Sequence, residues 1–128
     1  MSSQIPNKYV SLEVQNDVTI ATLNESRLTN DMAIEATAQE LIALIEEQLA
    51  IIISFGHVKF LSSSFLGKLK TFRRLMLARS GTLVLCGMSE EITQLFELTN
   101  LSILFRIEKT RELALVALQR SPLSSTLP

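Results

Sequence analysis

From Tyr9 to Gln15 apolar Val10, Leu12 and Val14 alternate with Tyr9, Ser11 and Glu13. A period of two marks a half-buried strand. Asn16-Asp17 are turn residues, and Val18, Ile20 and Ala21–Leu23 return, so this stretch reads as a β-hairpin. Asn24–Arg27 is polar and reads as a loop. After an N-cap at Asn30-Asp31, apolar residues recur at Ile34, Ala38, Leu41, Ile42, Ile45 and Leu49, with Glu35, Glu40, Glu46 and Glu47 on the wet side. That rhythm is a helix with one buried stripe. Ile51-Ile52-Ile53 is apolar on both faces, as a central strand covered by two layers must be.

His57-Val58 leads through Phe60-Leu61 into Ser62-Ser63-Ser64, after which Phe65, Leu69, Phe72 and Met76 form the buried stripe of a second helix, to about Arg79. Ser80-Gly81 stops it, with the glycine expected at the C′ position. Thr82–Cys86 is a further buried strand, and Ser89 caps a short helix to Leu98 with Glu90 and Glu91 in its first turn. Ile103–Ile107 is expected as the last strand and Arg111–Gln119 as a closing helix with Leu113, Val116 and Ala117 inward. The order ββαβαβαβα predicts an α/β protein, a mixed β-sheet with crossover helices. Residues 1–7 and 121–128 are polar and rich in Ser and Pro, and they are expected as flexible tails around one domain at 8–120.

A chain of 128 residues can bury roughly two-thirds of its surface, enough for one core without metal or disulfide support. With 47% apolar and 20% charged residues it is not intrinsically disordered. Twelve basic against 13 acidic residues leave no basic excess for general nucleic-acid binding. One Cys (Cys86) and one His (His57) exclude a disulfide and a Cys/His zinc set. No metal site and no cofactor motif is expected. The first residues lack the charge and apolar core of a signal peptide, and no apolar run approaches the ~20 residues of a membrane span. The expectation is a cytoplasmic protein, without a membrane span or direct nucleic-acid contact.

Three consecutive serines where a strand gives way to a helix admit two readings. One is ordinary capping, a side-chain oxygen accepting from an unpaired N–H of the first turn. The other is a modification site: a phosphate adds roughly −1.5 to −2 charge at the positive end of the helix dipole and transforms the surface while sparing the fold.

The run Leu61-Ser62-Ser63-Ser64-Phe65-Leu66-Gly67 resembles the apolar–Asp–Ser–Ser/Thr–Gly–Leu–Gly turn of the anti-sigma-factor antagonists built on the STAS domain. The resemblance extends over 9–119, through Leu83-Val84-Leu85-Cys86-Gly87, Glu91–Phe96 and Leu98-Thr99-Asn100-Leu101. It implies Ser63 as phosphoacceptor, with Ser64 at the following position as second choice. Leu66 and Gly67 match the pattern. The Asp before the acceptor is Ser62 here, the Asp often found at the end of the preceding strand is Ser54, and the first motif Gly is Phe65. Two anions are thereby lost near the acceptor, and the helix begins with a bulkier residue.

What the resemblance implies is a partner switch. The unmodified protein would bind an anti-sigma factor that is itself a serine kinase, freeing a sigma factor for transcription. Phosphorylation of the acceptor would release the kinase, and a serine phosphatase would reset the cycle. The protein itself is expected to be a monomer and not an enzyme.

Charge along the chain adds a feature of its own. From Gln48 to Ser89 there is no acid, but Lys59, Lys68, Lys70, Arg73, Arg74 and Arg79 are present. Lys68, Lys70, Arg74 and Arg79 fall on the wet side of the second helix, with Arg73 at its edge. This is either a solvated face with cations towards the helix C-terminus or a docking face for an acidic partner. The expected partner-binding set is Ser62, Ser63, Ser64, Phe65, Lys68, Lys70 and Arg74. His57 reads as a turn residue and Cys86 as a small hydrophobe. Two other functions compete: a non-catalytic STAS scaffold subunit of a signalling assembly or transporter, and an enzyme with Ser63 as nucleophile. The enzyme is the poorer, because no carboxylate is apparent to orient His57.

Overall fold

The structure, a computed structural model, describes residues 9–119. The tails expected at 1–7 and 121–128 and the ends of the expected domain lie outside the described residues. Strands β1 (Val10–Gln15) and β2 (Val18–Leu23) form the hairpin, paired from Val10↔Leu23 to Gln15↔Val18. Asn16 and Asp17 take φ of 51° and 67°, the two left-handed residues of a hairpin turn that follows the twist of its strands. Helix α1 (Asp31–Ile45) leads to β4 (Ala50–Ser54), α2 (Ser63–Ala78) to β6 (Thr82–Cys86), and α3 (Glu90–Leu98) to β7 (Arg106–Glu108), before α4 (Arg111–Gln119) closes the chain. Two short strands not expected from the sequence, β3 (Arg27–Leu28) and β5 (Phe60–Leu61), pair with each other.

The main sheet has the order β1-β2-β4-β6-β7, with β1 antiparallel and the rest parallel. The expected ββαβαβαβα order is that of this sheet. Ile51 and Ile53 face the large core formed with α1, α2 and α3, whereas Ile52 faces the smaller one under α4. Both faces of β4 are therefore dry, as its unbroken apolar run requires.

Several expectations on burial need correction. Leu12 and Val14 are exposed, because β1 is the edge strand and α1 reaches only its beginning, where the Glu40 carboxylate accepts from Tyr9 N and Val10 N at 2.9–3.2 Å. α1 ends at Ile45, which leaves Leu49 exposed in the following loop. The chain after α3 turns through Asn100, at φ 61°, into a 3₁₀ turn (Leu101–Ile103) that buries Leu101 and exposes Ile103. The last strand accordingly starts at Arg106, after Phe105 has packed edge-on against Phe96 at 6.0 Å. In α4 the inward residues are Ala114 and Ala117, while Leu113 and Val116 face out. The left-handed residue ending α2 is Ser80, at φ 59°, not Gly81. Ser80 N donates to Leu77 O and Gly81 N to Met76 O, the paired bonds of a Schellman ending.

Candidate functional site

The start of α2 is held by the small β3–β5 sheet. Arg27 pairs with Phe60 and Leu28 with Leu61 in parallel register. Lys59 N and Phe60 N both donate to Ser26 O, and Ser62 N donates to Leu28 O at 3.0 Å. These bonds bring the chain into the helix at a fixed angle. Ser62 is the N-cap residue by backbone conformation, φ −100° and ψ 164°, and its carbonyl accepts from Phe65 N and Leu66 N.

The three serines fall into three environments. Ser62 Oγ is buried without a hydrogen-bond partner and does not cap the helix. Ser63 and Ser64 are both exposed in the first turn. At 100° per residue, Ser63 shares one outward line with Gly67, Lys70 and Arg74, each exposed. Ser64 lies on the flank towards α1, on the side where Lys68 Nζ meets Glu35 Oε2 at 2.7 Å. At Gly67 no atom lies within 4 Å of the place a Cβ would occupy, so the outward line is bare there.

The expected contact set is thinned by these positions. Phe65 is fully buried, against Ala38, Leu41 and Leu69, and its ring is closed off from any partner. It wedges α2 against α1 instead, a role for which an aromatic side chain suits and a glycine does not. Lys68 is committed to Glu35. Arg73 Nε donates to Leu104 O at 2.8 Å, and an Arg79 terminal nitrogen donates to Glu46 O at the end of α1. Among the described residues Lys70 and Arg74 make no ion pair.

Sequence reasoning missed Arg27 and Phe60. The Arg27 guanidinium sits 4.3 Å from the centre of the Phe60 ring, and Phe60 remains half exposed beside the serine turn. An aromatic residue placed directly after Lys59 and two positions before the triplet was the available signal.

His57 is an exposed turn residue. Cys86 is buried, and burial pushes its thiol above the ordinary value, with a hydrogen bond to Ser54 and the charge of Arg111 pulling less strongly the other way. Ser54 Oγ also accepts from Gly56 N at 3.4 Å, so it ties together the ends of β4 and β6. No group of three His, Cys, Asp or Glu residues among the described residues could hold a metal ion. Among the described residues no helix is long and apolar enough to cross a membrane.

Comparison with known proteins gives a match to the STAS domain family model over residues 9–114. No curated protein sequence matches. Among solved structures, an anti-sigma factor antagonist from Mycobacterium paratuberculosis superposes with a TM-score of 0.77 at 20% identity, covering 86% of this chain and 92% of that one. An anti-sigma-factor antagonist (STAS) domain protein from Planctomyces limnophilus gives 0.74 at 20% identity, covering 84% and 94%. The Bacillus cell fate determinant SpoIIAA in its phosphorylated form gives 0.63 at 23% identity, covering 83% and 96%. At these identities the likeness carries the fold.

Proposed function

The chain belongs to the STAS domain family, and on that premise we propose that it is an anti-sigma factor antagonist whose docking face is switched by phosphorylation of Ser63. One observation carries the reading: Ser63 is exposed at the head of an outward line, with Gly67, Lys70 and Arg74 behind it. A kinase can reach that hydroxyl, and a partner can lie along the same line. Phosphorylation places about two negative charges there. The residue one turn on, at i+4, is Gly67, so no cation on that line stands close enough to neutralise them. Inside an apolar or acidic interface such a charge costs several kcal/mol, a change of orders of magnitude in affinity.

The partner is an anti-sigma factor serine kinase, with a serine phosphatase to reverse the modification. Ser64 is the second candidate, but its flank position beside α1 sets it off the outward line. The protein contributes a surface and an acceptor hydroxyl to this cycle, and the chemistry belongs to its partners.

Capture of partners from the native cell, with phosphosite mapping on the recovered protein, tests the reading. A serine kinase of the histidine-kinase-like type should be recovered and should add one phosphate, at Ser63. Ser63→Ala should abolish the addition and Ser63→Asp should weaken the complex. A large assembly without any phosphate would favour a STAS scaffold subunit. Ser62 and Ser54 in place of carboxylates are the observation on that side.

A further inference from the structure

The C-terminal half of α2 borders a small groove that the switch does not use. Met76 and Phe105 form its floor, Leu77 and Leu104 its walls, and Arg73 and Arg106 its rim, around a cavity of about 190 Å³. That volume is below the roughly 300 Å³ at which small-molecule pockets begin, and it suits a single bulky side chain. Its walls stay wet: Leu77 is 56% exposed, and Ile103, next to Leu104, is 79% exposed. Among the described residues no acidic side chain lines the groove, Glu108 reaching only the Arg106 of its rim. Arg73 uses its Nε on Leu104 O, and among the described residues its terminal nitrogens make no ion pair, so they remain for an anion. Arg106 is exposed and pairs through its Nε with Glu108 Oε2 at 3.2 Å.

Apolar walls in a cationic rim fit one occupant. We propose that this groove seats an acidic protein segment that inserts one Leu-, Met- or Phe-sized side chain, as a second anchor for the partner docked along α2. The anchor supplies desolvated contact, and the arginines select an acidic flank. Arg74 on the outward line lies one turn from Leu77, so the groove continues the line that Ser63 heads. Along the helix axis Leu77 lies about 20 Å from Ser63, beyond a Debye length at physiological salt. A phosphate on Ser63 therefore leaves the anchor untouched. The inference rests on the reading of α2 as a docking face, but its test does not need the kinase.

The probe is a short peptide of Glu and Asp with one central Leu, compared with the same peptide carrying Ser at that position. Methyl resonances of Met76, Leu77 and Leu104 are followed during titration. The Leu peptide should shift all three saturably, and added salt should weaken it. The Ser peptide should not shift them. Leu77→Ser and Arg106→Glu, both at exposed positions, should each weaken binding by about tenfold, the scale of one lost anchor or rim charge. The proposal is overturned by absent shifts, by equal response to both peptides, or by shifts confined to residues outside the groove. Failure to capture a kinase would end the switch reading without touching this result.

Discussion

Glu35 and Lys68 close a 2.7 Å ion pair between α1 and α2, and the same separation in sequence recurs all along that seam. It holds for Arg27↔Phe60 and Leu28↔Leu61 in the small sheet, and Arg79 donates to Glu46 O at a separation of 33. Two parallel strands thus launch two parallel helices in a single register, and Ser63 begins its helix at the level of Asn30, the cap of the other. The pair itself is solvent-exposed at both ends, so a double-mutant cycle of Glu35→Gln and Lys68→Met should return a coupling below about 1 kcal/mol. A larger coupling in chemical denaturation would show that the seam depends on it.

The N-cap positions of α1, α2 and α3 should respond differently to loss of a hydroxyl or amide. Asn30 Oδ1 accepts from Ala33 N at 2.8 Å and Ser89 Oγ from Ile92 N at 3.2 Å. Asn30→Ala and Ser89→Ala should each cost about 1 kcal/mol. Ser62 Oγ is buried without a partner. Ser62→Ala should therefore be neutral or stabilising, since it removes an unsatisfied group. Equilibrium unfolding of the three variants decides this.

Two glycines of the α2 region should give opposite signs. A Cβ on Gly81 would meet Met76 Cε at 2.8 Å and Leu49 O at 3.1 Å. The backbone oxygen cannot move aside cheaply, so Gly81→Ala should destabilise by about 1–3 kcal/mol. Gly67 is a mid-helix glycine in open space, and Gly67→Ala should stabilise by about 0.5–1 kcal/mol. The same Gly67 variant should weaken kinase docking if the partner lies along the outward line.

Association should be steered by charge. Lys70→Glu with Arg74→Glu reverses two exposed cations that form no ion pair among the described residues. Stopped-flow association with the proposed kinase partner should slow, and raising salt should slow the parent protein while leaving the double variant nearly unaffected. An on-rate indifferent to both changes would refute the basic docking face.

Cys86 gives the pH dependence. Its folded thiol titrates above the ordinary value, chiefly through burial. A raised folded pKa means its contribution to stability is complete below the unfolded pKa. That contribution is lost as pH rises through the folded pKa. Alkylation of the native protein at neutral pH should therefore be slow, and should quicken only as alkaline pH loosens the fold. Ser54→Ala removes the opposing hydrogen bond and should slow it further.

Local pattern was enough for the order of the elements of the main sheet, though not for the start of its last strand, and for the place of the serine triplet. Period-two alternation marked β1, Asn16-Asp17 and the apolar return at Val18–Leu23 marked the turn and β2, and Ser89 and Asn30 announced their helices, because each of these is decided by neighbours in sequence. What the local pattern could not contain was the pairing of Arg27-Leu28 with Phe60-Leu61. Strands of two residues have no period, and their bonds join residues far apart in the chain. That pairing sets the angle and register of α2. With them it decides that Ser62 is enclosed, that Phe65 is core, that Lys68 belongs to Glu35 and that Ser63 faces outward. Those assignments depend on which helix lies alongside, a property of packing and not of composition.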